Sequence, residues 1–117
     1  MTPRLVGLCC CAVLSAVSSG ASATEVFNAS TINYMDTYQS NPGTWTAPDT
    51  IFLLTSGSVG SCVGFWLSPS DPGYQANFAT LLAAKLAERA IKVYALDTVL
   101  WGGSTDHYCR VDMIRLP

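Results

Sequence analysis

The first apolar block of the chain, Leu5 to Val17, follows a short basic head, Met1 to Arg4, and gives way at once to serines and then to Ala21-Ser22-Ala23. A block this short, closed by small residues at the two positions a signal peptidase reads, predicts a secretory signal peptide over residues 1–23. It falls well under the roughly 20 residues a membrane-spanning helix needs, so no span is expected after cleavage. Cys9, Cys10 and Cys11 lie inside the block, where Leu8 argues against a lipoprotein site and the thiols behave as small hydrophobes.

Beyond the leader the pattern changes several times. Residues 24–48 are polar, with Phe27, Tyr34, Tyr38 and Trp45 at no clean period, and read as an arm, a long loop or one or two poorly patterned strands. Thr50 to Thr55 is a short apolar run bounded by turn residues, and Ser61 to Ser68 repeats that outline with Cys62, Val63, Phe65, Trp66 and Leu67. The serine and glycine connection between the two runs predicts a hairpin. After Ser68-Pro69-Ser70-Asp71-Pro72-Gly73 a helix is expected over about 74–90, with Asp71 as cap and Pro72 at the first helical position. Phe78, Leu82, Leu86 and Ala90, with Ala79 and Leu81 beside them, form its predicted core stripe, and Asn77, Lys85, Glu88 and Lys92 fall opposite. Ile91 to Leu96 reads as a strand, Trp101-Gly102-Gly103-Ser104 as a loop. From Cys109 an alternation puts Cys109, Val111 and Met113 on the inner face against Arg110 and Asp112. Strands, one central helix and more strands in so short a chain predict an α+β fold or small β-barrel, the helix covering or plugging the sheet.

Composition narrows the partners. Loss of residues 1–23 leaves 94 of 117 residues, a single domain over 24–117. Only Arg4 of the six basic residues goes with the leader, so five remain against eight acidic ones, a net charge of minus three. That balance argues against a nucleic-acid partner, whose phosphates demand a basic surface. Three of the five cysteines also leave with the leader. Cys62 and Cys109, alone in an oxidising compartment and too far apart in sequence for a redox or metal pair, are expected to form a disulfide.

Catalytic chemistry finds little footing. His107 is the only histidine; Ser104 and Asp106 are its neighbours along an extended loop and would point in different directions, which spoils a triad. A metal site from Asp97, Asp106 and His107 would require two loops to meet, and neither a metal nor any cofactor is expected. Ser56 to Ser61 has the small residues of a phosphate loop without its Gly-Lys-Ser or Gly-Lys-Thr ending. The sequence therefore predicts a non-catalytic protein. Trp66, Tyr74, Trp101 and Tyr108 stand at element ends or in loops among Ser68, Asp71, Asp97, Ser104 and Asp106, the composition of a shallow sugar-binding surface. Of these, Trp101, Tyr74, Tyr108, Ser104, Asp106 and Asp97 are the candidate ligand residues. The alternative is that the tryptophans pack the edge of the core.

Asn77-Phe78-Ala79-Thr80-Leu81, then Ile91-Lys92-Val93-Tyr94, then Trp101 resemble the helix, strand and tryptophan of the B subunits of subtilase cytotoxin and its typhoid-toxin relative. The resemblance covers about residues 62–109. It implies an OB-like fold, a secreted or periplasmic bacterial protein, assembly into a five-membered homo-oligomeric ring, and sialylated glycans as ligand. This chain departs from that family at the strand, where the sugar-contacting tyrosine falls at Ala95, in a shorter helix-to-strand turn, and in having no counterpart to a serine near the mature N-terminus. Two functions remain open: a secreted glycan-binding module, and a periplasmic or extracellular protein-binding module such as an inhibitor or assembly partner.

Overall fold

The computed structural model describes residues 25–39 and 48–117; the expected signal peptide over 1–23 and Trp45 lie outside them. The fold is α+β: among the described residues, one helix on an open mixed sheet. Six strands are present among the described residues: β1 (Glu25–Ser30), β2 (Ile32–Thr37), β3 (Thr50–Leu54), β4 (Gly64–Leu67), β5 (Ile91–Leu100) and β6 (Tyr108–Arg115), with α1 (Tyr74–Leu86) between β4 and β5. Their order across the sheet is β1-β5-β6-β4-β3-β2. Much of the polar arm is thus two strands, one at each edge and separated only by Thr31. Among the described residues no closed barrel is formed, in contrast to that part of the expectation.

The expected hairpin is present as the antiparallel pair β3 and β4, with Ile51 opposite Trp66 and Phe52 opposite Phe65. One neighbour relation departs from an all-antiparallel sheet: β4 and β6 run parallel, Phe65 opposite Cys109. Parallel neighbours need a crossover, and the chain between them carries α1 and β5.

Alternation sets the inner face. Phe52 and Leu54, Phe65 and Leu67, Ile91, Val93 and Ala95, and Cys109 and Val111 converge on Leu81 and Ala84 of the helix. Met113 does not join them. The pairing of β5 with β6 shifts register between Tyr94 and Ala95, where Ala95 faces Val111, and each one-residue slip moves later side chains to the other face. Ile114 packs on the core instead, and Met113 is exposed.

The helix differs from expectation in three ways. It starts at Tyr74 with Gly73 as its cap, and no side chain caps it. Asp71 lies one turn earlier, its carboxylate accepting from the Ser68 amide at 3.1 Å and pairing with Arg110. The helix ends at Leu86, not near residue 90, because the Arg89 amide returns to the Ala84 carbonyl and the Glu88 amide to Lys85, with Glu88 at φ 52°. This is a left-handed helix stop of the kind that usually holds glycine. Finally, Tyr74, Phe78, Leu81 and Ala84 form the core-facing stripe, while Leu82 and Leu86 are 42% and 78% exposed. The Lys85 ammonium, assigned to the polar side, reaches the carbonyl oxygens of Ile32 at 3.3 Å and Asn33 at 2.9 Å, tying α1 to the start of β2.

Cys62 and Cys109 form the expected disulfide, Cα atoms 5.6 Å apart. It joins the approach to β4 with β6, and both residues are fully buried.

Candidate functional site

The outer face of the sheet carries a second cluster, built around Trp101. Where β5 ends, the Trp101 amide donates to the Tyr108 carbonyl at 3.0 Å and the Val63 amide to the His107 carbonyl at 2.9 Å, which closes the base of the 101–107 loop. The Trp101 ring is only 5% exposed. Tyr38 packs on it with centroids 5.4 Å apart, and Tyr108 meets it edge-on at 5.6 Å and 83°. Gly103 supplies the remaining cover, because a Cβ at that position would overlap the indole itself. The indole Nε1 donates to Asp49 Oδ2 at 3.0 Å, so the one polar atom of the ring is satisfied by a buried carboxylate. The Asp49 carbonyl accepts from the Tyr38 amide at 3.0 Å, which binds the end of β2 to the same anchor.

Tyr108 lies across Gly64, its partner in the parallel ladder; a Cβ on Gly64 would stand 2.7 Å from the phenol ring and 3.0 Å from the Phe52 carbonyl. Glycine is therefore what lets the ring lie flat on the sheet. The Tyr108 hydroxyl is hydrogen-bonded to Tyr34, itself 41% exposed. Burial first, then the charges of Tyr34 and Asp106, the Tyr34 hydrogen bond and the charge of Tyr38, all raise the Tyr108 pKa above its ordinary value of 10.0. Because the folded protein holds this proton more tightly than the unfolded chain, the resulting stability is intact below about pH 10 and is lost as pH rises through the folded value. Urea unfolding followed across that alkaline range should show the loss in the parent and a flatter profile in Tyr108→Phe.

Of the sequence-predicted residues, Trp101, Tyr108, Ser104 and Asp106 share this loop and its base. Ser104 Oγ accepts from the Asp106 amide at 3.0 Å, which leaves the exposed Asp106 carboxylate on the rim. Tyr74 stands elsewhere: its hydroxyl is 3.0 Å from Thr50 Oγ1 and its ring stacks on Phe78 at 5.7 Å, on the inner side of the sheet. Asp97 lies half-buried on β5 and is engaged by a neighbour. Trp66 donates from Nε1 to the Val99 carbonyl at 3.1 Å under the Arg110 guanidinium, a packing role. His107 is exposed, and among the described residues no three His, Cys, Asp or Glu side chains gather as a metal site would require. The residues missed by the sequence reading are Tyr34, Tyr38 and Asp49. Their only signal was a pair of tyrosines four apart in a segment whose alternation is broken by a register shift between Ile32 and Tyr34.

No protein-family model, curated protein or solved structure matches this chain.

Proposed function

We propose that this protein is a secreted, non-catalytic module that binds a glycan on the outer-face tyrosine cluster. One observation carries the reading: Tyr34, Tyr38 and Tyr108 remain partly exposed around a tryptophan that is itself buried and locked. Sugars present C–H faces ringed by hydroxyls, and tyrosines offer a flat apolar face ending in a hydroxyl that donates and accepts. Trp101 then serves as the brace that sets the phenol rings, and Asp106 as an acceptor on the rim. The disulfide fits an oxidising compartment, secreted or periplasmic.

An OB-like frame is the finer reading of the fold. It is supported by the parallel pairing of β4 with β6, by a helix placed between β4 and β5, and by the single residue linking β1 to β2, which makes both sheet edges one bent strand. The resemblance to toxin B subunits extends the reading to sialylated glycans and a ring. Ala95, where that family's tyrosine falls, is buried in the core, so here the cluster on β2 and β6 would have to carry the sugar.

A glycan array probed with the exported protein tests this. Tyr34→Ala is expected to weaken binding by about tenfold or more, as loss of a central aromatic contact does, and to leave the melting temperature nearly unchanged because Tyr34 is exposed. Absence of binding to every glycan by monomer and ring alike would defeat the proposal. The protein-binding alternative draws on exposed Leu82 and Leu86, an apolar helix face better suited to a protein surface than to a sugar. A partner retained on the immobilised protein, and not displaced by sugars, would favour it.

A further inference from the structure

An open cleft of about 370 Å³ lies where the end of α1 meets the bend between β1 and β2. Ile32 and Ala84, both buried, contribute its apolar part, and Thr31, Asn33, Thr55, Lys85 and Glu88 its polar walls. Three features mark it as more than a surface dent. The Lys85 ammonium is pinned by the carbonyls of Ile32 and Asn33, which fixes a positive charge and uses two of its three donors. Thr31 donates its hydroxyl to Thr55 at 2.9 Å, aligning two hydroxyls along one wall. Glu88 holds a left-handed conformation, φ 52°, at a helix-stop position that glycine fills without strain. Its carboxylate makes no hydrogen bond or ion pair among the described residues.

We infer that this cleft is a second saccharide seat, taking a neutral, hexose-sized unit. One fixed cation and one anion leave the cleft without net charge, which disfavours an ionic ligand. Vicinal hydroxyls satisfy both signs at once, donating to Glu88 and accepting from Lys85 or the Asn33 amide, while a C–H face lies against Ile32 and Ala84. The strain at Glu88 is the cost of placing a carboxylate where glycine would leave nothing. The inference shares its ligand class with the reading above but not its residues: Asn33 lines the cleft, whereas Tyr34, the next residue across the register shift, belongs to the tyrosine cluster.

The test is titration of the ¹⁵N-labelled protein with the methyl glycosides of galactose, mannose and N-acetylglucosamine. Saturable shifts are expected at the amides of residues 31–33, 55 and 84–88. Glu88→Gly should weaken that binding by about tenfold, as loss of a charge-assisted hydrogen bond does, while melting no lower than the parent. Tyr34→Ala should leave it in place. Absence of saturable shifts at those amides, or affinity unchanged in Glu88→Gly, would overturn the inference and leave array binding at the tyrosines untouched; loss of the shifts in Tyr34→Ala would overturn it by assigning the saccharide to the tyrosine cluster instead.

Discussion

Reduction of the Cys62–Cys109 bond is expected to lower the unfolding free energy by about 4 kcal/mol, the chain-entropy value for a loop of this length. The bond spans a sequence separation of 47 and encloses β4, α1 and β5. Whole domains are stable by only about 5–15 kcal/mol, so this one crosslink is a large share of the total. It also lies where the sheet is topologically weakest, because β4 and β6 are parallel neighbours whose register can be found only after the intervening helix and strand are in place. Urea unfolding followed by tryptophan fluorescence, with and without reductant, reads the effect. With a slope of roughly 1–3 kcal/mol per molar, the midpoint should fall by more than about 1 M. The double variant Cys62→Ala with Cys109→Ala should behave like the reduced parent. A midpoint that does not move would mean that the β4–β6 ladder and the packing of α1 hold the closed loop unaided.

Trp101→Ala carries the second large effect, about 3–5 kcal/mol, as for a buried aromatic removed from a packed site. The indole fills the space bounded by Tyr38, Tyr108 and Gly103, and its loss leaves the buried Asp49 carboxylate without its donor. For a domain of this size even 3 kcal/mol corresponds to a fall of roughly 12–24 °C in melting temperature, readily measured by circular dichroism. Trp101→Phe should cost less than Trp101→Ala, since it keeps a six-membered aromatic ring in the site while deleting the N–H together with the pyrrole half of the indole. The tyrosine cluster should lose ligand binding in Trp101→Ala because its brace is gone. If binding disappeared while the melting temperature held, the indole would be touching the ligand directly and the brace reading would be wrong.

The sequence was most legible where burial is two-sided or periodicity uninterrupted. Thr50 to Thr55 reads as a strand because its apolar run is bounded by turn residues, Ile91 to Leu96 because it is β-branched and aromatic, and the disulfide follows from counting thiols. Legibility failed wherever a tertiary event broke a local period. On β6 the alternation from Cys109 holds through Val111 and then inverts, because β6 carries one extra residue, Asp112, between the partners of Ala95 and Tyr94. On α1 the 78, 82, 86 repeat suggested a stripe, yet the core takes the face containing Leu81 and Ala84, and nothing in the helix's own sequence distinguishes two apolar faces. The candidate site shows the same division. Trp101, Tyr108, Ser104 and Asp106 lie within eight residues and could be grouped by proximity; Tyr34 and Tyr38 reach them only because β2 is brought to the far side of the same sheet. Tyr74, an aromatic at an element end, reads as one of them, but the helix turns it to the interior, where Thr50 holds its hydroxyl.

The bend at Thr31 has a consequence for the order in which the molecule is completed. β2 finds β3 close by in the chain, whereas β1, on the other side of one residue, must wait for Ile91 to Leu96. Among the described strands the first to be synthesised is therefore one whose partner is made near the end, and until then it offers a bare row of amides and carbonyls to any passing extended peptide. Its safety during biogenesis rests on the speed with which the last third of the chain arrives.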